Sequence, residues 1–91
     1  GEQETDRKLI EKINNVILKE EKIKKVNSLI VLKYGPYYKL ISEVSMDSKL
    51  SLIEAHNIID EVEKNIKKKV RKIAYITFHM CPYIDENIDT K

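Results

Sequence analysis

Residues 26–47 read VNSLIVLKYGPYYKLISEVSMD, and this stretch decides the fold. Residues 26–34 and 37–47 are rich in Val, Ile, Leu and Tyr, with the turn signal Gly35-Pro36 between them. That pattern predicts a β-hairpin. Its register follows from matching like with like. When partner numbers sum to 70, Val26 faces Val44, Ile30 faces Leu40 and Leu32 faces Tyr38. The same register sets Ser28 against Ser42, Leu29 against Ile41 and Asn27 against Glu43. The loop is then Tyr34-Gly35-Pro36, where a proline withholds no ladder N–H. A slip of one residue places Ile30 against Ile41 and breaks the separation of faces, so the first register is the expected one.

On the N-terminal side, residues 6–19 carry Leu9, Ile10, Ile13, Val16 and Ile17 at the spacing of one helical face. Thr5 or Asp6 can cap that helix, and residues 20–25 form a charged connector. On the C-terminal side, Ser51-Leu52-Ile53-Glu54 is a capping box. A stripe of Leu52, Ala55, Ile59, Val62 and Ile66 continues the second helix to about Lys69. Residues 72–81 then alternate, with Ala74, Ile76, Phe78 and Met80 on one face and Tyr75, Thr77, His79 and Cys81 on the other. Pro82 ends the strand, and residues 83–91 read as a polar, acidic tail.

The order is α-β-β-α-β, and the second strand, second helix and third strand make a right-handed crossover with parallel strands. The expected class is α+β: a ferredoxin-like two-layer sandwich with a three-stranded mixed sheet and both helices on one face. Val26, Ile30, Leu40, Val44, Ile76 and Phe78 are expected against the helices. Asn27, Leu29, Val31, Ile41, Glu43, Tyr75, Thr77, His79 and Cys81 fall on the opposite face. Leu29, Val31, Ile41 and Tyr75 make that face too apolar for solvent, and a second copy of the domain is its simplest cover.

Composition narrows the function classes. At 91 residues the chain is one domain at most, with 42% hydrophobic and 35% charged residues in an ordinary globular balance. The longest apolar run, Leu29-Ile30-Val31-Leu32, is far short of the roughly 20 residues of a membrane span. This excludes a transporter or receptor in its own right. No signal peptide is visible, and Gly1 ahead of Glu2-Gln3-Glu4-Thr5 reads as an added residue that points to a fragment. The single cysteine excludes an internal disulfide framework. No nucleophile constellation and no glycine-rich phosphate loop is present, so an enzyme is not expected.

The basic run Lys64, Lys67, Lys68, Lys69, Arg71 and Lys72 has two readings: contact with anionic lipid or nucleic acid, or compensation of a helix C-terminal dipole. A net charge of +2 and the lack of interleaved aromatics favour the second, and no nucleic-acid partner is expected.

His79 and Cys81, two apart on one strand, leave the same face about 6.6 Å apart. Glu43 is expected on the neighbouring strand of that face, with Asn27 opposite it. Imidazole, thiolate and carboxylate together can form a first coordination shell for zinc or a similar divalent ion. The other reading is an edge histidine and a small buried thiol at a dimer seam. His56 lies at the boundary of the second helix's apolar stripe, one turn from Asp60, with which it can pair.

Two segments resemble the cytoplasmic C-terminal domain of the cation diffusion facilitator family. Leu50-Ser51-Leu52-Ile53-Glu54-Ala55-His56 is similar to the family's helix opening, and Ile76-Thr77-Phe78-His79-Met80-Cys81-Pro82 to its closing strand. Residues 26–35 resemble its first strand and turn glycine, so the likeness spans about residues 10–82. The resemblance implies a membrane-spanning bundle on the N-terminal side that exchanges divalent cations for protons. It implies a domain, residues 6–82, at the cytoplasmic face of the cell membrane, soluble as a fragment, that homodimerises through the helix-free sheet face with metal between and within protomers. His56 and His79 match the family's two common ligand positions. Cys81 stands where the family often has Asp, which favours zinc or another thiophilic cation. Asn27 and Glu43 stand where some members have histidines. The expectation is therefore a reduced, weakly binding zinc site of His79, Cys81, Glu43 and His56, drawn from either protomer. A dimerisation module that binds no metal is the alternative.

Overall fold

A computed structural model describes residues 2–85; Gly1 and residues 86–91 of the expected tail lie outside the described residues. The elements are β1 (Glu2–Glu4), α1 (Arg7–Leu18), β2 (Ile23–Tyr34), β3 (Tyr37–Met46), α2 (Leu52–Lys69) and β4 (Ile73–Pro82). Asp6 caps α1 by accepting from the Lys8 N–H at 3.0 Å. The capping box of α2 forms as expected: the Glu54 N–H donates to Ser51 Oγ at 3.1 Å, and the Ser51 N–H donates to Glu54 Oε1 at 2.8 Å. Ile13 and Ile17 of α1 meet Ile59, Val62 and Ile66 of α2 over Val31, Leu40 and Val44 of the sheet, forming one core. Both helices thus cover one face, and β4 runs parallel to β3. Among the described residues no helix is long and apolar enough to cross a membrane.

The sheet has four strands in the order β1-β2-β3-β4, not the expected three. Glu2-Gln3-Glu4 has no apolar residue to betray a strand, yet it pairs antiparallel with β2, Glu2 against Lys33 and Glu4 against Val31. Glu4 then anchors the edge. Its carboxylate accepts from the Asp6 N–H at 2.9 Å and the Tyr38 hydroxyl at 3.3 Å, and lies 3.5 Å from Lys33 Nζ.

The hairpin register also needs correction. Partner numbers sum to 71 from Tyr34–Tyr37 down to Ser28–Glu43, to 70 at Val26–Val44 and Lys25–Ser45, and to 69 at Ile23–Met46. Two bulges, at Lys24 and Asn27, account for the steps, and residues 23–25 of the expected connector belong to the strand. Of the expected pairs, only Val26–Val44 forms. Above the bulge Val31 lies against Leu40, both fully buried, and Ile30 lies against Ile41. Leu29 and Val31 therefore pack inward, whereas Ile30 belongs to the open face. The fully buried Ser42 donates from Oγ to the Ser28 carbonyl at 2.7 Å, and the Glu43 N–H donates to Ser28 Oγ at 3.3 Å. Two hydroxyls thus repair the ladder beside the bulge.

Candidate metal site on the open sheet face

Strand periodicity builds the site. On β3, Glu43 and Ser45 are two residues apart and share a face; on β4, His79 and Cys81 do the same. Parallel pairing sets Glu43 beside His79 and Ser45 beside Cys81. Asn27, the extra residue of the bulge, brings its carboxamide into the same group. Its Nδ2 donates to Glu43 Oε2 at 2.9 Å, lies 3.0 Å from Ser45 Oγ and stands 3.4 Å from Cys81 Sγ. Ser45 Oγ donates to Asn27 Oδ1 at 3.2 Å and lies 3.5 Å from Cys81 Sγ. The thiol is 3.9 Å from Glu43 Oε2 and donates to the Val44 carbonyl at 3.5 Å.

Three of the four expected site residues, Glu43, His79 and Cys81, therefore share one patch. Their donors are a carboxylate, an imidazole and a thiol, types that zinc accepts. Within one copy the set is incomplete: among the described residues, no three His, Cys, Asp or Glu side chains form a group able to hold a metal ion. His56 is not part of the patch. It is exposed on α2, with Nε2 3.4 Å from Asp60 Oδ2, the pairing expected one turn apart. Ala55, its neighbour, and Cys81 do line a common depression of about 280 Å³ with Met80 and Pro82. One turn beyond Asp60, burial pushes the Glu63 carboxyl up, and the Asp60 charge adds to the effect.

Ser45 is the member that sequence reading missed. The signal was available, since Ser45 has the same strand parity as Glu43. The bulge had no such signal. Around the cluster the open face carries Ile30, 38% exposed, and Tyr75, 56% exposed, together with half-buried Leu32 and Ile41. Its apolar character stands as expected, with Ile30 and Leu32 in place of Leu29 and Val31.

Residues 5–83 match the family model described as cation efflux protein, cytoplasmic domain. Over 85 residues the chain is 27% identical to the manganese efflux system protein MneP of Bacillus subtilis (strain 168), a match covering 93% of this chain and 29% of that protein. The chain thus spans less than a third of that relative's length. The fold is similar to the metal-bound C-terminal domain of the CzcD transporter from Thermotoga maritima, with a TM-score of 0.82 at 19% identity, covering 90% of this chain and 99% of that one. It is also similar to the C-terminal domain of the magnetosome protein MamB from Desulfamplus magnetovallimortis BW-1, with a TM-score of 0.79 at 21% identity, covering 88% of this chain and 99% of that one.

Proposed function

Because the chain belongs to the cation efflux protein cytoplasmic domain family, we propose that it is the regulatory and dimerising domain of a divalent-cation efflux transporter, with a membrane-spanning bundle ahead of residue 2. Two copies pair through the helix-free sheet face. Residues 6–82 are the dimerising unit and residues 83–91 a polar tail. Zinc is bound by His79, Cys81 and Glu43 of one copy, with His56 supplied by the other, and zinc prefers the closed pairing. Occupancy therefore shifts the population of paired domains and biases the attached bundle. The domain senses cargo and does no chemistry on it.

The observation that carries this reading is the convergence of Glu43, His79 and Cys81 on the one sheet face that has apolar surface and no helices over it. An incomplete donor set in one copy suits a site completed by pairing. Cys81 argues for zinc, because a thiolate prefers it to manganese, the cation in the name of the relative MneP. A metal-free dimerisation module is the second reading, favoured by the absence of a three-ligand group among the described residues of one copy.

Native mass spectrometry of chelator-stripped protein, before and after stoichiometric zinc or manganese, tests both. The expected result is a dimer that gains whole zinc ions and loses them in His79→Ala. A dimer that takes up neither metal leaves the scaffold role alone.

A further inference from the structure

The basic run gains a setting in the fold that it lacks in the sequence. Lys64, Lys67, Lys68 and Arg71 line one depression of about 490 Å³, and no carboxylate lines it with them. All four are exposed, and the ion pairs among the described residues use other cations. Lys67 partly offsets the upward push that burial gives the Glu63 carboxyl, and Lys68 also lines a neighbouring depression with Glu20 and Glu61. The helix dipole acts on the last turn, Lys67 to Lys69. It does not reach Lys64, which stands a turn after Asp60 and Glu61, or Arg71, beyond the helix.

This cluster shares a pole with the hairpin tip and the N-terminal strand. The Tyr38 N–H donates to the Lys72 carbonyl at 2.8 Å, and Lys72 Nζ lies 5.1 Å from the Tyr38 ring centroid. On its other side the Tyr38 hydroxyl reaches Glu4 at 3.3 Å, and Glu2 pairs with Lys33, next to the tip. Tyr34 and Tyr37, 45% and 50% exposed, flank the turn at this pole. The aromatics missing from the basic run itself are thus supplied by the hairpin.

We infer that this pole is a membrane-surface contact, with the Lys64, Lys67, Lys68 and Arg71 cluster binding the phosphates of anionic lipid headgroups and the tip tyrosines lying at headgroup level. The inference rests on the proposed bundle ahead of residue 2, which makes the pole carrying β1 the one nearest the bilayer. Basic segments there are attracted by an anionic leaflet, and tyrosine is a residue of the membrane–water interface.

Co-sedimentation of the 91-residue chain with vesicles tests it. Each cation near such a surface is worth about fivefold in binding. Vesicles containing phosphatidylglycerol are expected to bind at least about tenfold more tightly than phosphatidylcholine alone, with binding falling as salt rises. The combined Lys64→Gln, Lys67→Gln, Lys68→Gln and Arg71→Gln variant is expected to lose that difference while keeping its far-UV circular dichroism. Equal binding to neutral vesicles, or undiminished binding by the variant, overturns the inference. Displacement by inorganic phosphate at constant ionic strength would assign the cluster to a soluble anion, and tighter binding to duplex DNA would assign it to nucleic acid; either overturns it too. Zinc uptake, measured on both proteins without vesicles, keeps the two proposals separate. An unsubstituted chain that takes up zinc but shows no preference for anionic vesicles sinks only the membrane contact, and one that prefers those vesicles but takes up no zinc sinks only the metal site.

Discussion

At Asn27 the chain carries one residue more than the strand opposite, and the carboxamide of that residue holds Glu43 and Ser45 and sits against Cys81. A side chain that a regular ladder would aim by simple alternation is aimed instead by an interruption of it. In the proposed zinc site the choice of metal falls to Cys81, its one soft donor. Cys81→Asp is expected to weaken zinc binding by about tenfold or more and to strengthen manganese binding, read by isothermal titration calorimetry on the dimer. Unchanged zinc affinity in that variant would remove the thiol from the site.

Among the elements, α2 is the most legible, because its capping box and apolar stripe agree, although Leu52 at the head of the expected stripe is 81% exposed. Both Ser51–Glu54 bonds are present, and the bond from the Ser51 N–H, with that residue's hydroxyl, holds the Glu54 carboxyl below its usual range. The lowered value means that Glu54's contribution to stability is whole above about pH 4.5 and is lost as pH falls through the folded value. Asp47, held down by the Lys49 N–H, and Glu4, held down by the Asp6 N–H, act with the same sign. Glu63 acts oppositely: burial raises its value, so its ionisation opposes folding as pH rises past the ordinary carboxylate range. Urea unfolding should therefore show Glu63→Gln raising the midpoint at neutral pH and losing that advantage in acid. Ser51→Ala should lose about 1 kcal/mol at neutral pH. Glu63→Gln with no gain at neutral pH would mean that the carboxyl is not penalised where it sits.

The hairpin was legible as an element but not in register. Leu29-Ile30-Val31-Leu32 is apolar without alternation, so periodicity cannot choose which two residues face the helices. Matching like with like chose Ile30, whereas burial of Val31 against Leu40 won, with bulges absorbing the mismatch further down. Glu43, His79 and Cys81 survived this error because β3 and β4 do alternate, and the face on which they lie depends on those strands alone. β1 was illegible for a plainer reason: its strand is made by backbone pairing and by Glu4's anchors, not by burial of its side chains.

Taken whole, the molecule is 51 Å long and 25 by 20 Å across, with a helix-covered face and an open one. The open face places Ile30, Leu32, Ile41 and Tyr75 around the polar cluster, an apolar surround that a second copy would dry. Ile30→Asp puts a charge at its centre, on a side chain already 38% exposed and outside the core. Sedimentation velocity is expected to show a monomer with unchanged far-UV circular dichroism. A persistent dimer would place the pairing surface elsewhere.

β1 has a mechanical meaning as well. Three residues form the outermost strand, tied by a short ladder to β2 and by Glu4 to Lys33, Tyr38 and the first residue before α1. Tension applied along the backbone at Glu2 therefore loads those bonds before it reaches either helix. A pull strong enough to break them would strip β1 away and expose the edge of β2. Under the proposed function the edge strand is in effect a shear pin, setting the largest force that a preceding bundle would pass to the open face.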